Sequence, residues 1–156
     1  TPLKRVGPVA VFVGAFPGAI PPMLGYVAAT GEFGLIPGVL FAAQFMWQFP
    51  HFWAIAWKAN DDYARAGFKL LPTAQGKGQI SAMYILLYTV FLIPISLTPI
   101  IFTGMDGLRM ILVTLAGLAF TWYAIDLYRK RTDESALKLM FASFVYLPVI
   151  QLFYLI

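Results

Sequence analysis

The sequence contains no cysteine. That excludes disulfides, thiolate zinc sites, cysteine-held iron–sulfur clusters and a cysteine nucleophile. It contains a single histidine, His51, so this chain cannot by itself supply the two facing imidazoles of a bis-histidine heme carrier. Charge is scarce as well: Asp, Glu, Lys and Arg make up 12% of the residues, about half the share of a soluble domain. The net charge of +4 does not point to nucleic acid, because the basic residues lie in breaks between apolar runs and not on one soluble face. Neither a starting Met nor a signal peptide precedes Thr1-Pro2, so the chain reads as a piece of a longer protein.

What is abundant is apolar: 60% of the residues are hydrophobic and the mean hydropathy is +0.77. Five apolar segments, at 8–30, 35–57, 80–103, 108–128 and 137–156, each approach the roughly 20 residues that a helix needs to cross hydrocarbon. Only helices satisfy every backbone group at such lengths, which predicts an all-α, polytopic transmembrane helix bundle. Lys4 and Arg5, then Lys58, Arg65, Lys69 and Lys77, then Arg129, Lys130, Arg131 and Lys138 fall on alternate breaks, and Arg109 stands alone on the other side. The positive-inside rule therefore predicts a cytoplasmic 58–79 loop and an outer C-terminus. That loop is the longest break, at 22 residues, and long loops kept in a compact fold are usually functional.

Several segments carry unusual chemistry. Pro17, Pro21 and Pro22 interrupt the first span, which reads as a kinked packing helix or a cavity wall, and Gly14 and Gly18 have the GxxxG spacing of close helix packing. Gln44, Gln48 and His51 recur at i, i+4 and i+7 as a polar stripe on the second span, and such groups inside a membrane face protein or a cavity. His51 reads as a heme ligand, a proton-transfer group or a helix–helix hydrogen-bonder. Trp47, Phe49, Phe52, Trp53 and Trp57 cluster toward the same end, as an interfacial belt or a shield for a reactive cation. Beyond them stand Lys58, Asp61, Asp62 and Arg65, at spacings that fit a surface ion-pair ladder or a metal–diphosphate site in which carboxylates hold Mg²⁺ and cations neutralise phosphate. The stretch Ala66 to Pro72 is apolar and bounded by Gly and Pro, as in a packed lid.

Four stretches together resemble the intramembrane UbiA-type prenyltransferases, and among them the protoheme IX farnesyltransferase (heme O synthase) family. They are Thr1-Pro2-Leu3-Lys4-Arg5, Gly18-Ala19-Ile20-Pro21-Pro22 with Gly25, Phe49-Pro50-His51-Phe52-Trp53-Ala54, and Asp62-Tyr63 with Ala66-Gly67 and Leu71-Pro72. The resemblance runs in order along nearly the whole chain. It departs at Lys69, where many members have proline, and only Asp62 carries over as a loop aspartate, with Asp61 added as its neighbour.

The resemblance implies that residues 1–156 are the C-terminal part of one membrane domain, the last five helices of nine, in a bacterial plasma membrane. It implies Mg²⁺-dependent transfer of a farnesyl group from farnesyl diphosphate to a vinyl group of protoheme IX, giving heme O for terminal oxidases. Heme A synthase, terminal oxidase assembly factors and membrane lipid are the implied partners. A first aspartate-rich loop would lie upstream, so this segment alone is expected to be inactive. On this reading Asp62 and Arg65 are catalytic. Asp62 and Asp61 hold the metal, and Lys58, Arg65, Lys69, Lys4 and Arg5 bind diphosphate. His51 binds heme. The alternatives are a prenyltransferase acting on a quinone precursor, or a membrane transporter or cofactor-binding subunit. A transporter places its ionisable residues near mid-membrane, whereas these carboxylates lie at the rim.

The charge alternation generates a direct test of orientation. Single cysteines at Lys77 or Arg131 are expected to react with an impermeant thiol reagent only from the cytoplasmic side, and one at Phe33 only from outside. Labelling of both loops from the same side would overturn the topology.

Overall fold

The computed structural model describes residues 7–104 and 106–155. Among the described residues six helices follow one another: α1 (Val9–Thr30), α2 (Leu35–Lys58), the short α3 (Asn60–Arg65), α4 (Gln79–Thr103), α5 (Gly107–Lys130) and α6 (Asp133–Leu155). The polytopic helical bundle expected from the apolar runs is the architecture observed. Helices α2, α4, α5 and α6 close a four-membered ring in which neighbours pack side by side, and α1 lies outside it against α2.

Three helix termini are set by local contacts. Gly31 closes α1 in the left-handed region at φ 73°, returning its N–H to Val27 O at 2.8 Å. Asp106 caps α5 by accepting the Arg109 N–H at 3.1 Å, and this bond, with the nearby guanidinium, holds its carboxyl below the usual carboxylate range. Before α6, Thr132 and Ser135 cap each other reciprocally: Ser135 N–H donates to Thr132 Oγ1 and Thr132 N–H to Ser135 Oγ. The prolines do not end their helices. Pro99 leaves Ile95 O without its helical donor, and Thr98 Oγ1 donates to that carbonyl at 2.6 Å.

Four of the helices, α1, α4, α5 and α6, are long and apolar enough to cross a membrane. The outward faces of α4, α5 and α6 carry Phe91, Leu115, Trp122 and Val145, all exposed. A surface of that kind belongs in lipid and not in water. Helix α2 matches them in length at 24 residues but is less apolar, since Gln44, Gln48 and His51 interrupt it. The packing explains this. Surrounded by α1, α4 and α6, α2 buries eleven residues where α1 buries three, so its side chains meet protein in place of lipid.

The polar stripe of α2 is a set of seams to its neighbours. Gln48 Nε2 donates to Ala15 O of α1 at 2.9 Å and more weakly to Gln44 O. Gln44 Oε1 accepts from Gln151 Nε2 of α6 at 3.2 Å. Of the two glycines in the GxxxG spacing, only Gly18 serves close approach. A Cβ there would lie 2.3 Å from Gln48 Oε1, whereas one on Gly14 would meet nothing within 4 Å.

Gly18→Ala is therefore expected to lower stability by about 1–3 kcal/mol, because the buried Gln48 amide must leave its carbonyl partner. Gly14→Ala is expected to leave stability unchanged or raise it slightly, through helix propensity. Thermal unfolding of the two variants in detergent checks the difference. Equal effects would remove the assignment to Gly18.

Candidate functional site

The antiparallel order brings the end of α2, the start of α4, the end of α5 and the start of α6 to one end of the bundle, and the 59–78 segment lies there. One face of α2 leads to it. Phe41, Phe45, Phe49 and Trp53 recur every fourth residue, with ring centroids 5.8, 5.2 and 5.4 Å apart in succession. Phe12 and Phe16 of α1 and Tyr88 of α4 flank this ladder at 4.9–5.6 Å. Trp57 continues the same stripe, completely buried. The indole N–H groups of Trp53 and Trp57 are buried without a hydrogen-bond partner among the described residues.

At Ala59 the helix breaks. Its N–H still reaches Ile55 O at 2.9 Å, and α3 restarts immediately, with Tyr63 N–H on Ala59 O at 3.0 Å. This short helix stops at Gly67, whose φ of 73° suits glycine. Phe68 N–H bonds Tyr63 O at 2.8 Å and Gly67 N–H bonds Ala64 O at 3.0 Å, a Schellman closure completed by the Tyr63–Phe68 ring contact.

Leu71 is then 2% exposed, in the same core as Trp57, so the apolar stretch after α3 is packed down and not free in solvent. A cavity of about 270 Å³ lies between α3 and this segment, with Asn60, Gly67, Lys69, Thr73 and Gly76 in its wall. The segment's far arm is fastened. Ser81 Oγ donates to Gly76 O at 2.6 Å and lies 2.7 Å from Thr73 Oγ1. Lys77 Nζ reaches Asp133 Oδ1 of α6 at 2.7 Å, and Gln79 Nε2 reaches the Tyr128 hydroxyl at 3.2 Å.

The charged residues singled out in the sequence divide accordingly. Asp62 and Arg65 form an ion pair across one turn of α3, with side chains 72% and 79% exposed. Asp61 is exposed and accepts from the Asn60 amide at 3.3 Å. Lys58 and Lys69 are exposed, and neither is joined to Asp61 or Asp62; for Lys58, the break at Ala59 interrupts the continuous helix that the ladder spacing requires. Lys4 and Arg5 lie outside the described residues. Asp126, at the end of α5, is paired with Lys130 at 2.7 Å.

Among the described residues no group of three or more His, Cys, Asp or Glu side chains is arranged to hold a metal. The donor chemistry nevertheless fits Mg²⁺. Two adjacent exposed carboxylates are hard oxygen ligands of the kind Mg²⁺ takes one or two of, completing its shell with water and phosphate. Sequence reasoning missed the Asn60 amide beside them, and also the Lys77–Asp133 pair, whose members lie 56 residues apart with no local signal.

His51 lies elsewhere, buried between α2 and α6. Its ring stacks on Trp47 at 4.5 Å and meets Phe144 edge-on at 4.8 Å. Ser143 Oγ donates its one hydrogen to Met140 O at 2.5 Å, so the 2.7 Å contact to His51 makes Nδ1 the donor. In the neutral ring Nε2 is then the bare nitrogen, and no described residue hydrogen-bonds it. Ser143 carries a second bond, from Trp47 Nε1 to its carbonyl at 3.0 Å.

Comparison with known proteins places these features in context. The model of the UbiA prenyltransferase family matches residues 1–146. A protein named protoheme IX farnesyltransferase from Cytophaga hutchinsonii is 52% identical over 97% of this chain and 53% of its own length. Proteins of the same name from Christiangramia forsetii and Aquifex aeolicus are 49% and 40% identical, over 100% and 95% of this chain and 53% and 50% of theirs. The chain thus spans about half the length of the curated relatives it matches. No solved structure matches.

Proposed function

The chain belongs to the UbiA prenyltransferase family, and on that premise we propose that its protein transfers a farnesyl group from farnesyl diphosphate to protoheme IX, with the 59–78 segment as one side of the diphosphate site. The observation that carries this reading is 52% identity across 97% of the chain to a protein named for that reaction. The geometry is consistent with it. A C15 chain held by apolar helices, at about 0.8 kcal/mol per buried CH₂, leaves its diphosphate at the rim where Asp61, Asp62, Arg65 and Lys69 are exposed.

Asp62 and Asp61 would hold Mg²⁺, which when bound neutralises charge developing on the departing diphosphate. Arg65 swings from Asp62 to a phosphate oxygen, exchanging one anionic partner for another, and Lys69 supplies a second cation beside the cavity. As the allylic C–O bond lengthens, its electron pair leaves with the diphosphate, and positive charge grows on the farnesyl carbon. The π faces of Phe49, Trp53 and Tyr88 favour that charge and keep water from it. The activity belongs to the whole protein, for which the remaining helices supply the opposite wall.

Asp62→Asn keeps size and an acceptor oxygen but removes the charge. If Asp62 were only the partner of Arg65 on an exposed helix, its loss would spare activity. As a metal ligand, its loss is expected to lower turnover about 10²–10³-fold, with a raised Mg²⁺ requirement and heme binding retained. Arg65→Ala is expected mainly to raise the KM for farnesyl diphosphate. Near-normal turnover of Asp62→Asn at limiting Mg²⁺ would end the metal assignment.

For His51, the bare Nε2 is the atom that would face heme iron, or a propionate through water. His51→Ala is expected to weaken heme binding more than farnesyl diphosphate binding. Ser143→Ala, which removes the bond at Nδ1 and leaves the imidazole in place, is expected to shift the heme absorption spectrum without abolishing binding. Unchanged heme spectra and affinity in both variants would leave His51 with its observed role of joining α2 to α6.

A further inference from the structure

Of the salt bridges among the described residues, four link charges three or four positions apart in sequence, and Lys77–Asp133 alone joins separate elements. We propose that Lys77 and Asp133 form a latch that positions the 59–78 segment, holding its carboxylate-bearing arm in register with the rest of the bundle. The inference rests on reading that segment as a diphosphate site. It adds two positioning residues that touch neither substrate nor metal.

The two partners are unequally prepared. Asp133 stands in the first turn of α6, where unpaired backbone N–H groups favour a carboxylate. Its backbone is fixed by the Thr132–Ser135 cap. Lys77 stands in irregular chain between the turn at Gly76 and the start of α4. Ordering this irregular strand against a preset acceptor is what the pair contributes.

The neighbouring contacts act in the same direction. Leu71 is sunk in the core, Ser81 holds Gly76 O, and Gln79 meets Tyr128 on the helix that precedes Asp133. The segment is therefore pinned along 71–79, while 60–69, which carries Asp61, Asp62, Arg65 and Lys69, has its ion pair only within itself. With side chains 27% and 41% exposed, the pair adds little to the stability of the bundle. Its effect falls on the population of the seated segment, which opens at lower cost than the helices do.

The chain has no cysteine, so Leu71→Cys places a buried thiol on the pinned arm, reachable only when that arm lifts. Its alkylation in isolated membranes, followed by mass spectrometry of the peptide, reads how often the segment lifts. Asp133→Asn is expected to raise the alkylation rate about two- to five-fold. The charge exchange Lys77→Asp with Asp133→Lys is expected to bring the rate back toward the original, short of it because a lysine in the first turn of α6 opposes the helix dipole, a recovery that loss of packing alone would not allow. Mg²⁺ with inorganic diphosphate is expected to slow alkylation in the otherwise unaltered protein. An unchanged rate in Asp133→Asn, or an exchange variant as fast as the single one, overturns the latch. An Asp133→Asn effect with no protection by Mg²⁺ and diphosphate upholds the latch and overturns the diphosphate reading on which its role in catalysis rests.

Discussion

A side-chain amide or imidazole inside hydrocarbon has no water to turn to, so it must find its partner within the protein. In this bundle that requirement is met along α2. Gln48 turns to a carbonyl of α1, while Gln44 and His51 turn to Gln151 and Ser143 of α6. Once those bonds are made, α2 cannot be a lipid-facing helix, and its neighbours are fixed on two sides. The same need recurs between α4 and α6, where the hydroxyls of buried Tyr146 and half-buried Tyr154 both end on Ser96, one on its Oγ and one on its carbonyl. It also decides between Gly14 and Gly18, since of the two only Gly18, opposite Gln48, has to be bare.

From this arrangement comes the separation of tasks along α2. Its ring-bearing face is dry and continuous from Phe41 to Trp53, and its last turn delivers the chain into a polar segment at the rim. An apolar chain and an anionic head group could both be served by this one helix and its exit. At that end Lys130 and Lys138 are matched locally, with Asp126 and Glu134, whereas Lys58 and Lys69 beside α3, and Arg129 and Arg131 after α5, stand exposed without an ion pair among the described residues and are open to an external anion.

Helix content was legible because apolar run length and Gly, Pro and charge breaks bear directly on it. Helical bounds such as Val9–Thr30 and Gln79–Thr103 follow the apolar segments closely. The stripe Gln44, Gln48, His51 was legible as a set of buried polar groups, but period alone does not say which neighbour each one meets. The structure divides them between α1 and α6. The spacing of Lys58, Asp61, Asp62 and Arg65 suggested one continuous ladder. The break at Ala59 has no marker in that spacing, and it leaves Asp62–Arg65 as the pair formed. Asp133 gave no sign of its partner, because its relation to Lys77 exists only once α5 has folded back between them.

The placement of the indoles gives the molecule an optical asymmetry. Of its four tryptophans, Trp47, Trp53 and Trp57 are shielded within α2, and Trp122 stands 67% exposed on the outward face of α5. Brominated acyl chains or other quenchers dissolved in the bilayer can reach Trp122, while the three interior rings report only on the helix around which the others are arranged. Emission from the bundle thus separates without added dye into a lipid-contacting component and an interior one. The interior component follows the seating of α2 alone.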